Sequence, residues 1–333
     1  MSYELETPVA MLIYRRPHTT EKVFEAVRQA KPPKLLVVAN APRPEKEGEA
    51  EKCAQTRAII ERVDWDCEVL TNYADSYLSC LGRIYSGLDW VFNTVEQAII
   101  LEDDCVPHPS FFRYCQELLE RYRDDERIVA ICGDNFQMGR RRTEDSYYFS
   151  RYTHFWGWAS WRRSWQNYDP EMKLWPELRD NGWLTDVLGD PKAVRWWRNT
   201  FQTTYDKGID TWDWQWIFAS WVQNGVAIAP NINLVSNIGF NAAAAHTGDV
   251  YDWRANMPTQ EMTFPLKHPQ VVIQNAKADA FEQQEYYDFL TNQRALKHRL
   301  RRKIRRAKKI LQESRNGQNY GGVFGLIEQM VKG

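Results

Sequence analysis

The chain has no apolar stretch approaching the ~20 residues that a membrane-spanning helix requires. It has no GxGxxG, and no GxxxxGK followed by Ser or Thr, after any apolar run. That removes the backbone cradle of a dinucleotide-binding or P-loop phosphate site. There is no CxxC pair and no Cys/His spacing suited to zinc, although cysteines stand at 53, 67, 80, 105, 115 and 132. No basic region precedes the first apolar run, Val9–Tyr14; Glu4 and Glu6 do. The run therefore reads as an opening strand, not a signal peptide, and the cysteines are expected as reduced thiols of a cytoplasmic protein. Net charge is also scarce, with 43 Lys plus Arg against 44 Asp plus Glu. A chain so balanced is not expected to coat nucleic acid.

What is present suits a large α/β protein. Hydrophobic residues make up 43% of 333 positions, enough for a sizeable core and too many for a disordered or fibrous chain. Short apolar runs alternate with helical spacing. Strands are expected at Val9–Tyr14, Leu35–Ala39, Cys67–Leu70, Ala98–Leu101 and Ile128–Cys132. Helices are expected at Thr19–Gln29, at Glu49–Arg62 with Ala50, Ala54, Ala58 and Ile59 on one side, at Leu78–Phe92, and from a capping Ser110 to Tyr122. This order implies a mostly parallel, Rossmann-like sheet flanked by helices.

The strongest local signal is Ile99-Ile-Leu-Glu-Asp-Asp104. Three acids directly after a buried strand lie at the carboxyl edge of a parallel sheet, where such folds bind ligands. Carboxylates crowded there repel one another unless a cation offsets them, and hard divalent ions such as Mg²⁺ or Mn²⁺ prefer these oxygens. The competing reading is an acidic turn favoured by a helix dipole. Further on, twelve of the fifteen tryptophans fall between 156 and 221. Indoles can fill a core or stack on sugar rings. Among them Asp213, between Trp212 and Trp214, is a candidate general base in surroundings that would raise its pKa. Its rivals are a capping role within a Trp-rich helix and the nearby Asp210.

Taken in order, these segments resemble glycosyltransferases of the GT-A fold, and more narrowly the N-acetylglucosaminyltransferase I family and its bacterial relatives. The resemblance rests on Glu102-Asp-Asp104 followed by Pro107-x-Pro-Ser-Phe-Phe112, on Tyr14-Arg-Arg-Pro17, and on Val129-Ala-Ile-Cys-Gly-Asp-Asn135. It continues through Phe155-Trp-Gly-Trp158, Thr211-Trp-Asp-Trp214, and Asn237-Ile-Gly-Phe240 to His246-Thr247. It implies a nucleotide-sugar half at 1–140, an acceptor and base half at 141–265 of the same domain, and a helical extension at 266–333. It further implies that Asp104, supported by Glu102, binds Mn²⁺ or Mg²⁺. Arg16 would contact the nucleotide of a UDP-sugar, Asp103 would lie near its ribose or the metal, Asn40 could bond its base edge, and Asp213 would deprotonate the hydroxyl of a glycan or lipid-linked acceptor with inversion. Asn40 stands where these relatives often have an aspartate, which leaves the base preference open. Outside the resemblance, Arg83 lies early in a helix and suits either a phosphate or a solvated face. His246, after the small-residue run Asn241-Ala-Ala-Ala-Ala245, suits the metal, the diphosphate or an ordinary loop position.

Residues 294–315 hold eleven Lys or Arg and one Glu, so the rest of the chain carries a net −11 within a total of −1. Leu296, Leu300, Ile304, Ala307 and Leu311 share one helical face. A basic amphipathic helix of this kind suits either an anionic membrane surface, at the inner face of the membrane, or docking on the acidic body. Two other functions stay open. A sugar nucleotidyltransferase would want a glycine-rich basic loop after the first strand, and Arg15-Arg-Pro17 has the charge without the glycines. A non-catalytic sugar-binding or membrane-scaffold protein would have no use for Asp104 and Asp213 together.

Overall fold

The computed structural model describes residues 3–240 and 252–288. His246 and the basic segment 294–315 lie outside the described residues. The chain divides into two compact units, Met1–Phe281 and Glu282–Gly333. The described part of the second is the end of one helix and a π-helical stretch, Gln283–Asp288.

The first unit opens with alternating strands and helices: β1 (Val9–Ile13), α1 (Pro17–Ala30), β2 (Lys34–Ala39), α2 (Glu49–Ile60), β3 (Glu68–Tyr73), α3 (Cys80–Thr94), β4 (Gln97–Glu102) and the short β5 (Cys105–Pro107). Next come α4 (Ser110–Arg121), β6 (Ile128–Cys132), β7 (Tyr147–Ser150) and β8 (Trp158–Trp161). Four helices of the Trp-rich region follow: α5 (Arg162–Trp165), α6 (Trp175–Asp180), α7 (Trp183–Leu188) and α8 (Pro191–Tyr205). The unit closes with α9 (Asp213–Val222), β9 (Val226–Pro230), β10 (Val235–Asn237) and α10 (Ala276–Glu282). Eight strands form one sheet in the order β3-β2-β1-β4-β8-β6-β9-β7. The first four are mutually parallel, and β8 runs antiparallel between β4 and β6. Since both neighbours oppose β8, β4 and β6 point the same way. β10 and β5 pair as a separate antiparallel ribbon.

This is the mixed, mostly parallel α/β sheet flanked by helices that the strand and helix spacing implies, consistent with a GT-A or Rossmann-like fold. Period two explains the layering. Val9, Met11 and Ile13 enter one core with Phe24 of α1, Ile59 and Ile60 of α2, and Phe111 and Leu118 of α4. Ala10 and Leu12 enter the other with Leu88 and Val91 of α3, Trp165 of α5 and Trp216 of α9. Trp158, Trp175, Trp197 and Trp216 are fully buried, so much of the Trp-rich region serves packing. All six cysteines are free thiols. No helix among the described residues is long and apolar enough to cross a membrane.

Two local expectations are corrected. In α2, Ala50, Ala54 and Ala58 do not form the inward stripe; Glu49, Cys53, Thr56, Ile59 and Ile60 are the residues buried against the core. Ile59 and Ile60 join the core, and at the start of the same face the Glu49 carboxylate binds Arg43 at 2.6 Å and Arg15 at 3.2 Å and accepts the Tyr14 hydroxyl. At α4, Ser110 is the first helical residue and no side chain caps the helix; its backbone N–H goes to His108 Nδ1 at 3.2 Å. The hydrogen bond from Arg43 is the main reason that the Glu49 pKa falls to about 2. A depressed carboxylate pKa stabilises the fold above the unfolded value near 4.5, and that contribution is lost as pH falls through about 2. Glu49→Gln should therefore cost about 2 kcal/mol at pH 7, discounted for the partly exposed arginines. Denaturant titrations of wild type and variant should converge as the pH is lowered toward 2; a constant gap would remove the charge from the explanation.

Candidate active site at the carboxyl edge of the sheet

β4 carries its acids out of the core at its carboxyl end. Asp103 and Asp104 are buried, and Glu102 is partly exposed. The turn after parallel β1 reaches the same edge. There Tyr14 donates its backbone N–H to Asp103 Oδ2 at 3.2 Å. Arg16 Nη1 pairs with Asp104 Oδ2 and lies 3.4 Å from Asp103 Oδ1. Burial works against the Arg16 charge, but the two acids outweigh it and raise its pKa. One guanidinium does not balance three carboxylates. Desolvation first, then the negative neighbours, push Glu102 to about 8 and Asp103 to about 7.

The β5–β10 ribbon closes the other side. Ile238 donates its N–H to the Asp104 carbonyl at 2.9 Å, and Asn237 Oδ1 accepts from Gly239 N at 2.8 Å. Gly239 is held directly against the Asp104 carboxylate, and a Cβ there would collide with it. Cys105 lies behind the acids; burial, then Asp104, push its thiol far up, so it is no thiolate nucleophile.

Asp213 is the first residue of α9. Its Oδ1 accepts the Thr211 hydroxyl and the Trp214 N–H, the latter at 2.9 Å. The preceding Trp212 is fixed by stacking on Trp158 and by its carbonyl, which accepts the Tyr168 hydroxyl at 3.1 Å. The Asp213 charge is near enough to contribute to raising Glu102. It also acts on Cys80, at the start of α3, whose pKa is pushed up to about 12 by burial, then Glu102, Asp210 and Asp213. The ends of β4, α3 and α9 thus bring Asp213 and the acidic triplet into one electrostatic neighbourhood. Asp210 is occupied differently. Its carboxylate accepts the N–H groups of Cys80 and Leu81 at 2.8 and 3.0 Å and holds the α3 N-terminus.

Two residues expected to contact the nucleotide are engaged within the protein. Asn40 donates to the Leu78 carbonyl at 2.8 Å and accepts from Leu78 N and Ala41 N, both at 3.0 Å. It clamps the segment before α3. Arg83 is buried and donates to the Asn72 carbonyl and Oδ1 at 2.5 and 2.7 Å and to Ser86 Oγ at 3.2 Å. Desolvation, then Arg57, lower its pKa. Tyr14 and Glu49 brace the turn after β1, and sequence reasoning gives neither of them this part; the only local sign of Glu49 is its place in the first turn of α2.

No three His, Cys, Asp or Glu side chains among the described residues converge as a preformed metal cage. The chemistry of the donors nevertheless suits a hard ion. Mg²⁺-type sites commonly take one or two carboxylates from the protein and the remainder from phosphate and water. Asp104 and Glu102 supply such oxygens, and a cation beside them would offset the crowding that raises Glu102 and Asp103.

No protein-family model matches the chain, and no curated protein matches it in sequence. Solved structures give weak likenesses. A cytidylyltransferase from Leptospira borgpetersenii is 9% identical, covers 50% of this chain and 64% of its own length, and has a TM-score of 0.30. This chain thus spans somewhat less than two thirds of that protein. A 4-diphosphocytidyl-2C-methyl-D-erythritol synthase from Anaerococcus prevotii is 11% identical, covering 48% and 73%, with a TM-score of 0.30. Mouse xyloside xylosyltransferase 1 is 12% identical, covering 64% and 80%, also at 0.30. Likenesses this weak establish neither family nor activity.

Proposed function

We propose that the protein is a metal-dependent glycosyltransferase that moves a sugar from a nucleotide diphosphate, with a UDP-sugar favoured, to a hydroxyl of a glycan or lipid-linked acceptor. The observation that carries this reading is the acidic triplet at the end of β4 with Asp213 of α9 within its electrostatic reach. Direct displacement at an anomeric carbon has two needs: charge compensation at the departing diphosphate and a base for the attacking hydroxyl. Asp104, with Glu102 behind it, would hold Mg²⁺ or Mn²⁺, and the bound ion would offset the charge on the diphosphate. Asp103 would take the donor ribose or share the ion. Arg16, reaching the same oxygens in this structure, would turn to the phosphates once the acids are otherwise compensated. Asp213, oriented by Thr211 and the Trp214 N–H, would accept the hydroxyl proton from the opposite side, which inverts the configuration. Indoles near α9 would give the acceptor a flat apolar face.

The pairing of Arg16 with Asp104 favours a second reading, in which the acids only anchor the turn after β1 and the protein binds sugars without catalysis. A nucleotidyltransferase is less well served, because the β1–α1 turn has the arginines but no glycine. A screen of nucleotide sugars, with and without EDTA and with mass detection of the released nucleotide, separates these. The transferase reading expects EDTA-sensitive turnover of one donor; no turnover and no binding of any nucleotide diphosphate would favour the sugar binder.

The raised pKa values give this reading a pH signature. An acid whose folded pKa lies above its unfolded value stabilises the fold fully below the unfolded pKa, and this is lost as pH rises through the folded one. For Glu102 and Asp103 that window runs from about 4 to about 8. In EDTA the melting temperature should fall across it, damped by the partial exposure of Glu102. Added Mn²⁺ should restore more stability at pH 8 than at pH 5. An equal gain at both pH values would mean that the ion binds elsewhere.

A further inference from the structure

Many arginines of the described region pair with carboxylates, including Arg15, Arg16, Arg28, Arg43 and Arg62, and others, such as Arg83 and Arg163, donate to backbone carbonyls. The run Gly139-Arg-Arg-Arg142, in the loop from β6 to β7, is different. Among the described residues, none of its three guanidiniums makes an ion pair. Arg140 and Arg141 are exposed, and Arg142 is half-buried. Arg140 and Arg142 both pack on the Phe281 ring, 4.3 and 4.8 Å from its centre. Two like charges on one ring lie within about one Debye length of each other, so they repel unless an anion joins them. Arg142 Nη2 is buried and has no hydrogen-bond partner among the described residues. A donor left this way points to a missing acceptor.

The loop is also built to hold its shape. Arg142 N donates to Asn231 Oδ1 at 2.9 Å, and Asn231 Nδ2 donates to the Thr143 and Asp145 carbonyls at 2.8 and 2.6 Å. Arg142 Nε donates to Gln137 Oε1 at 2.5 Å, and Gln137 N to Asn135 Oδ1 at 2.9 Å. The neighbouring acids do not neutralise it: Asp145 accepts the Thr143 hydroxyl at 3.1 Å, and Glu144 is exposed to solvent. Because β6 runs in the direction of β4, the loop leaves the sheet at the edge that carries Glu102, Asp103 and Asp104, yet on a different strand from them.

We propose that Arg140, Arg141 and Arg142 seat a phosphate or diphosphate group carried by the acceptor. The acceptor assignment rests on the transferase reading; the anion seat itself does not. Guanidinium forks suit bidentate recognition of phosphate oxygens, whereas a neutral glycan gives three of them nothing to neutralise. The seat would separate the acceptor's charge from the donor diphosphate, which belongs beside Asp104.

The test titrates the full chain with inorganic pyrophosphate in EDTA, where a metal-dependent donor site is silent. Wild type should bind saturably. R140A/R141A should weaken binding at least ~10-fold, and R140K/R141K, which keeps the charge and loses the fork, should fall between them. The melting shift with UDP and Mn²⁺ should be the same in all three proteins. Competition by farnesyl diphosphate would assign a lipid-borne group, and competition by glucose 1-phosphate a sugar-borne one. Pyrophosphate affinity that is unchanged in R140A/R141A, or no saturable binding by wild type, overturns the seat. Failure of both competitors overturns the acceptor assignment. Loss of the UDP shift in wild type, with arginine-dependent pyrophosphate binding intact, would strike the donor reading and leave the anion seat standing.

Discussion

Asp213→Asn should bind the donor as wild type does and transfer its sugar about 10²–10⁴-fold more slowly, the range that a positioned general base contributes. The substitution is close to isosteric. An asparagine oxygen can still accept the Thr211 hydroxyl and the Trp214 N–H, so the start of α9 should stay in place, and what is lost is proton acceptance. The effect belongs in kcat, with the KM for donor nearly unchanged, because the base acts on the acceptor hydroxyl. Steady-state kinetics with the donor found in the screen would check it. Asp210→Asn is the control. Asp210 holds the Cys80 and Leu81 N–H groups, so its loss should lower the melting temperature and spare most of the rate per folded molecule. Retained transfer in Asp213→Asn would remove Asp213 from the chemistry.

Asp104→Asn should abolish the metal-dependent response to nucleotide. At 100-fold excess of UDP over Kd, binding would stabilise the wild-type fold by about 2.7 kcal/mol, a melting shift of about 5 °C for a unit of this size. The variant should show none of it. Asparagine is the informative choice because Gly239 leaves no room beside the carboxylate, so the replacement must keep its shape. It also weakens the hold on Arg16 and removes one of the like charges that push Glu102 and Asp103 upward. The fold should therefore survive, and both acids should titrate lower than in wild type. A full UDP and Mn²⁺ shift in Asp104→Asn would place the ion, if one binds, elsewhere.

Much of the first half can be read from residues because its strands are buried on both faces. Leu35–Ala39, Ala98–Leu101 and Ile128–Cys132 are continuous apolar runs that only a covered sheet accommodates, and each is a strand here. The β8 strand is not legible in this way: Trp158-Ala-Ser-Trp161 has no period of its own, and its place between β4 and β6 is set by pairing with residues far away in the chain. The α2 face differs from its alanine spacing because small apolar residues mark a stripe only when nothing stronger competes. Cys53, Thr56, Ile59 and Ile60 follow Glu49 at helical spacing and take the buried face, with Glu49 held there by two arginines and a tyrosine hydroxyl.

The site divides along the same line. Glu102, Asp103 and Asp104 can be placed at a sheet edge because position after a strand fixes it, and the turn after β1 follows from parallel pairing. The bridge from Arg16 to Asp104, the contact of Gly239 and the separate roles of Asp210, Asn40 and Arg83 depend on distances across the fold that short segments do not encode.

The most direct measurement is anomalous scattering at the manganese edge from crystals grown with UDP and Mn²⁺. A single ion peak is expected between Asp104 and the diphosphate, with Arg16 swung from Asp104 to the phosphate oxygens. Nucleotide bound at this edge with Asp104 still paired to Arg16 and no ion beside it would overturn the metal role of the acids.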